Sequence, residues 1–454
     1  MSSTLLFDLT PPVHRGMMAL DRDKFQKSLK VLAARIPAAL TGSIKGAVAL
    51  KREILDLPKI RSVEPDPNDS ASRLLLLARA PEDAMPPSLT EFLTGNSTGL
   101  TTFDIHLNYD YWNADDILQA ILPEDLIKDG IPSSFTNTGH IGHFNLRDEY
   151  LPYKHLIGQI ILDKHKNLRT VVNKVDTIDT QFRVFKMEVI AGEEDFNVVL
   201  NESGCTFAFD FSKVYWNSRL QGEHDRIITL FQPGEVIVDV FAGVGPFALP
   251  AAKKGCYVLG NDLNPSSSEA MQANVERNKV QPWIRVSCED GREFIRGSTS
   301  QIWREPFQHT DSPRSLKQKQ KAARRARETG VGPLSEDLQH RPQPRRRIDH
   351  FVMNLPATAI EFLGAFRGVF KPLHDADPKE FDAVYGDVMP MVHCHCFTKE
   401  LEGPGAEEDL RKRVAAHMGA ELPTDAIFHF VRRVAPNKDM YCISFRLPRD
   451  VGLC

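Results

Sequence analysis

The chain has 454 residues, 42% of them hydrophobic, which is enough for two or three domains with buried cores. Seven scattered cysteines without a C-x-x-C pair exclude a disulfide framework and fit a reducing compartment. A net charge of −4 excludes a broadly basic surface, so any nucleic-acid contact must rest on a local patch. In chain order, residues 1–115 are expected to alternate helical stretches such as Asp21–Arg35 with short strands such as Ser72–Leu77, broken by Pro65–Pro67 and Pro81–Pro87. Residues 116–205 read as a small α/β domain with a helix at Pro152–Lys164 and strands at Thr170–Val172 and Arg183–Ile190. Residues 206–454 read as a doubly wound α/β sheet whose late strands include Val388–Phe397 and Met440–Leu447. No apolar run reaches the roughly 18 residues of a membrane span, and the N-terminus has neither a signal-peptide core nor an Arg-rich transit pattern.

The third region carries the chemistry. Val236–Val240 is a short β-branched apolar run, as expected of a buried parallel strand. Gly243 and Gly245 then allow a tight turn and close approach of the backbone to a ligand. Pro246 fits the first turn of the helix that follows. Cys256–Gly260 is a second strand with Asp262 at its C-terminal end, where open α/β sheets bind ligands. Gly243, Gly245 and Ala248 with Asp262 satisfy a dinucleotide fingerprint, so the bare pattern fits a nicotinamide cofactor as well as S-adenosylmethionine. Asp239 favours the latter, since a carboxylate at that strand end can face a cationic methionine group. Asp290, after the strand-like Trp283–Cys288, can accept from an adenine amine.

Asp349–Met353 is a further strand, and Asn354-Leu-Pro356 follows it. An Asn side-chain carbonyl with nearby backbone carbonyls offers in-plane acceptors to an amide-like N–H edge, and Pro356 brings no competing donor. That suits methyl transfer to a conjugated ring nitrogen, whose lone pair is freed by removing a proton. His393-Cys-His-Cys396 invites a metal reading, but its side chains alternate between the faces of a strand, so a packed strand and no metal are expected.

At these residues the chain resembles the tRNA (guanine-37-N1)-methyltransferases of archaeal and eukaryotic type. The resemblance rests on Asp239–Phe247, Asn261–Pro265, Asn354–Pro356, Ser218–His224 and Phe182–Gly192. It covers residues 120–454 well and the first hundred loosely, and an insertion before Asn354 departs from the compact archaeal form. It implies a class I, Rossmann-like methyltransferase domain preceded by smaller α/β domains, the first of which would read overall tRNA shape. It also implies S-adenosylmethionine held by His224, Asp239, Phe241, Gly243, Gly245, Asp262, Leu263, Asp290, Gly291 and Asn354.

On pattern alone Arg183 reads as a surface cation and Glu223 as a first-turn helix acid. The resemblance makes both catalytic. Guanine N1 carries a proton at neutral pH and is a poor nucleophile, so a carboxylate with its pKa raised toward neutrality is needed; Glu223 takes that role. Charge then moves onto O6, which the Arg183 fork would meet. Asn354 would orient the ring edge of a base flipped out of the anticodon loop.

Residues 298–347 hold 12 Lys/Arg against 5 Asp/Glu and read as a disordered or partly helical insertion, with phosphate contact, nuclear targeting or a solvated loop as its candidate roles. The expected partner is tRNA with guanosine at position 37, bound by a monomer in cytoplasm, nucleus or mitochondrial matrix. Two alternatives share these features: aminocarboxypropyl transfer in wybutosine synthesis on the same fold, and a non-catalytic RNA-binding protein.

Overall fold

The computed structural model describes residues 7–47, 50, 52–128, 130–178, 182, 184–308, 345–386, 388–400 and 403–454. Contacts divide the chain into two compact units. One holds residues 1–136, 142–174 and 188–194, and the other residues 137–141, 175–187 and 195–454.

In the first unit, β1 (Lys27–Pro37), β2 (Val63–Pro65), β3 (Ser72–Leu76) and β4 (Gly99–Leu107) form an antiparallel sheet in the order β2-β3-β1-β4. This corrects the helix expected over Asp21–Arg35, of which only Arg22–Lys24 is helical, as a single 3-10 turn. The run Leu29-Lys-Val-Leu-Ala-Ala-Arg-Ile36 is apolar on both sides. Leu29, Val31 and Ala33 enter one core, and Ala34 and Ile36 enter another. A strand buried on both faces loses the simple alternation that marks it, and pairing with β3 and β4 overrides local helix propensity. The first core also takes Trp112, then Ile117 and Ile121 from the helix at Ala114–Ile121 and Ile157 and Ile160 from the helix at Lys154–Lys164. Strands β5 (Thr136–Thr138), β6 (Ile141–Phe144), β7 (Thr170–Ile178) and β8 (Phe185–Gly192) pair in that order.

The second unit begins with a hairpin, β9 (Asn197–Glu202) and β10 (Cys205–Asp210). Its main sheet uses β11 (Val236–Asp239), β12 (Tyr257–Asn261), β13 (Ile284–Ser287), β14 (His350–Met353), β15 (Met391–Thr398), β16 (Ile427–Ala435) and β17 (Lys438–Arg446). The order is β13-β12-β11-β14-β15-β17-β16, with five neighbouring parallel strands, then β17 antiparallel to β15 and β16 antiparallel to β17. β11 lies where the order reverses, with β12 on one side and β14 on the other. Open α/β sheets bind ligands outside the strand ends at such a point. No described helix is long and apolar enough to cross a membrane.

The basic segment divides. Residues Ser298–Arg304 complete the helix Gly291–Arg304, with Thr299 and Ile302 wholly buried, so they are not part of a loose insertion. Phe307 bridges to Arg345, and residues 309–344 lie outside the described residues.

Candidate active site

β11 delivers Asp239 to its C-terminal end wholly buried, and neither carboxylate oxygen meets a donor in hydrogen-bond geometry among the described residues. Burial, with the nearby Asp262 charge, pushes its pKa up to about 8, against smaller pulls from His395 and the Phe241 amide. The loop then turns through Gly243 (φ +54°) and Gly245 (φ +98°). A side chain at Gly245 would strike Leu249, whereas a Cβ at Gly243 would meet nothing within 4 Å and so opens onto free space. Pro246 lies in the loop rather than in the first helical turn, because the helix starts at Ala248 with Phe247 at its N-cap.

Asp262 follows β12. Its two oxygens accept from the Gly243 and Asn264 amides, both at 2.9 Å, so it ties the glycine loop to the next helix. Burial still raises its pKa. Carboxylate oxygens hold further lone pairs, so hydroxyls can add to these bonds. Leu263 beside it is 42% exposed, an apolar face without a cover. Asp290 caps the helix Gly291–Arg304 through the Arg292 amide at 2.8 Å. A Cβ at Gly291 would come within 2.8 Å of Phe241, whose ring stands edge-on to Phe362 with centroids 4.9 Å apart.

Asn354 follows β14, and its Oδ1 is buried with no hydrogen-bond donor among the described residues. The expected backbone acceptors beside it are already engaged. Leu355 O takes the Thr358 and Ala359 amides, and Pro356 O takes the Phe397 amide at 2.9 Å. The open acceptor at this turn is therefore the Asn354 side chain.

Glu223 is the third residue of the helix Gln221–Leu230 and is almost wholly buried. Arg226, one turn on, grips both its oxygens at 2.7 Å. His395 Nε2 lies 2.7 Å from Oε1, and His429 Nε2 lies 3.8 Å from Oε2. Burial alone would raise this carboxyl, but the Arg226 and His395 hydrogen bonds outweigh it and hold the pKa down at about 2. This is the reverse of the raised value expected of a base. His224 Nδ1 sits 2.6 Å from buried Glu202, and its ring stands edge-on to Phe247 of the glycine loop at 4.8 Å. The Phe247 ring also packs 6.0 Å from that of His395.

The structure thus places Asp239 and Asn354 at and just beyond the ends of adjacent strands β11 and β14, and His395 within β15 beside them, bonded to Glu223, which shares one helix with His224. Arg183 lies outside the described residues. Arg226, His395, His429 and Glu202 were missed. Arg226 had a local signal, three residues from Glu223 on a helix. His395 had one only in hindsight, as half of an alternating His-x-His pair facing one side of a strand.

An unmatched buried carboxylate, an open glycine ledge, a second strand-end carboxylate and an uncovered leucine suit a cationic adenosyl ligand such as S-adenosylmethionine. The comparisons agree. A TYW2 N-terminal domain family matches residues 114–195 and a TRM5/TYW2 methyltransferase domain family matches residues 198–303. A Coprinopsis cinerea protein described as tRNA (guanine(37)-N(1))-methyltransferase is 51% identical over 99% of this chain and 98% of its own length. One of the same description from Schizosaccharomyces pombe is 44% identical over 95% and 94%. Among solved structures, the complex of aTrm5 with tRNALeu matches at TM-score 0.59 and 18% identity, over 92% of this chain and 99% of that one. Trm5b from Pyrococcus abyssi matches at 0.57 and 20% identity, with the same coverage.

Proposed function

This chain belongs to the tRNA (guanine(37)-N(1))-methyltransferases, and we infer that it transfers a methyl group from S-adenosylmethionine to N1 of guanosine 37 in tRNA. The observation that carries the site assignment is the pair of buried, unmatched acceptors at neighbouring strand ends, the Asp239 carboxylate and Asn354 Oδ1. One awaits a cation and the other an N–H donor. Bound S-adenosylmethionine supplies an electrophilic methyl on its sulfonium. Asp239 holds the positive methionine portion, and Asp262 holds ribose hydroxyls. Leu263 and Phe241 cover the adenine, while Asp290 accepts from its amine. Asn354 Oδ1 takes an N–H of the flipped guanine edge. Glu223 accepts the N1 proton, and Arg183 meets the charge that develops on O6. These roles need no metal. We assign the protein to work as a monomer wherever tRNA is matured, in nucleus, cytoplasm or mitochondrial matrix.

Glu223→Gln tests the base. It keeps the shape and removes the charge, and it should slow single-turnover methylation by roughly 10²–10⁴-fold, the usual worth of general base catalysis. Cofactor affinity should stay nearly unchanged. The defect should shrink as pH rises, because hydroxide increasingly deprotonates N1 directly. A variant that lost tRNA affinity while keeping its rate would make Glu223 a binding residue instead.

A further inference from the structure

A carboxylate held at about 2 is a weak base. It gains basicity only when a cationic partner withdraws. Arg226 cannot lose its proton. His395 can, but it is wholly buried, so its proton needs a route out.

The sheet provides one. His395 stands directly opposite Cys442, and His393 directly opposite Ser444, in the β15–β17 pairing, so all four side chains share a face. His429 joins them opposite Cys442. One donor atom each of Glu223, His395 and Cys442 lies within 4.8 Å of the other two. Arg226 and His395 already engage both Glu223 oxygens, which makes this a protonic cluster rather than an open cation site. Cys442 Sγ is 3.8 Å from Ser444 Oγ, which is 2.8 Å from His393 Nδ1. His393 Nε2 is 3.0 Å from His350 Nδ1, and His350 Nε2 is 3.2 Å from Glu235 Oε2. Glu235 is 27% exposed and reaches solvent. The single open link among the described residues is His395 Nδ1, buried without a hydrogen bond on the strand position opposite Cys442.

We propose that His395, Cys442, Ser444, His393 and His350 form a proton exit that carries the proton taken by Glu223 from guanine N1 to Glu235 at the surface. The proposal rests on Glu223 as the base. His395 passes its Nδ1 proton to the thiol, and each following group takes a proton on one side and gives one up on the other. Glu223, freed of the imidazolium, takes the N1 proton as N1 gains the methyl. The neutral ring exchanges to its Nδ1–H tautomer, which frees Nε2 to take that proton back from Glu223, so one proton leaves per methyl transferred and His395 and Glu223 end as the imidazolium and carboxylate they began as. The groups facing the path suit it. Burial and the neighbouring His350, His395 and Arg226 keep His393 far below its ordinary pKa. Burial lowers His350 to about 4 among Asp349, Arg446 and Arg347. Both are neutral rings near pH 7, able to accept at one nitrogen and donate from the other. His395 is raised to about 10 against its own burial, by Cys442 and Glu223. Ordinary cores do not string polar groups in this way unless each is satisfied.

Ser444→Ala breaks the path without touching Glu223 or the cofactor pocket. Single-turnover methylation should slow by at least ~10-fold, a part of what proton transfer contributes in all. Its acid limb should move to higher pH, its solvent isotope effect should change, and Ser444→Thr should restore all three. Glu235→Gln, at the exposed end where packing is not disturbed, should shift the acid limb in the same direction. In the protein without ligands, nitrogen NMR should show His393 and His350 neutral at pH 7. The path is overturned if Ser444→Ala and Glu235→Gln leave rate, pH profile and isotope effect unchanged while Glu223→Gln is slow. It is also overturned if Ser444→Thr fails to rescue, or if His393 is charged. A Glu223→Gln enzyme at full rate would instead remove the base reading, and the path with it.

Discussion

Asp239 sits in a folded state that prefers it protonated, because its burial and the Asp262 charge outweigh the pulls of His395 and the Phe241 amide. Its pKa of about 8 lies above its ordinary 3.8. Stability from this group is therefore full below about 3.8 and is lost progressively as pH rises through about 8, since the unfolded chain ionises first. A bound cation reverses the preference and favours the carboxylate. S-adenosylmethionine binding at pH 7 should then release a proton, visible by calorimetry in buffers of different ionisation heat. Asp239→Asn should abolish that release, weaken binding, and raise the melting temperature of the ligand-free protein at pH 8. Proton-neutral binding by the natural protein would contradict the assignment. The strand-end positions of Asp239, Asp262 and Asn354 were legible in the sequence because each closes or directly follows a short apolar strand. The low pKa of Glu223 was not. It depends on Arg226 along the helix and on His395 from a strand 172 residues away, and no local pattern pairs those two.

The elements most easily read were those with one buried face or a clear stop. β11, β12 and β14 are short apolar runs ending at Asp239, Asn261 and Met353. β1 failed because both its faces are buried, so its pattern resembled a helix. The basic insertion failed at its first border for a related reason. The amphipathic helix Gly291–Arg304 runs on through Ser298, Thr299 and Ile302 into a polar stretch, and charge counting cannot see a buried face. That border sets a prediction. Deleting residues 309–344 should preserve fold and cofactor affinity, because the Arg345 amide already bonds to Phe307 O at 3.1 Å and a short turn can rejoin them. Deleting residues 298–347 should instead unfold the domain, since it also removes Phe307, whose ring stacks on Tyr257 at 5.0 Å. Thermal scans of the two deletions separate these outcomes. If the removed cations touch phosphates, the shorter deletion should also flatten the salt dependence of tRNA binding. An unchanged slope would leave the segment to targeting or to solvent.

For the whole molecule, the doubly wound sheet was readable from alternating strands and helices, but its closing pair was not. β17 runs antiparallel to β15 and β16 antiparallel to β17, and only long-range pairing decides those directions. The pairing matters because it places Cys442 and Ser444 opposite His395 and His393. Fold alone does not choose among group transfers from S-adenosylmethionine, since one sheet serves many chemistries. The site's acceptors and the family membership choose methyl transfer to guanine N1. The most direct measurement incubates the full chain with S-adenosylmethionine and unmodified tRNA, then identifies the nucleoside at position 37 by mass and chromatography. N1-methylguanosine is expected from transcripts with guanosine at position 37, and no product from those with adenosine there. An aminocarboxypropyl adduct, a methyl group at another position or an unmodified nucleoside would contradict it.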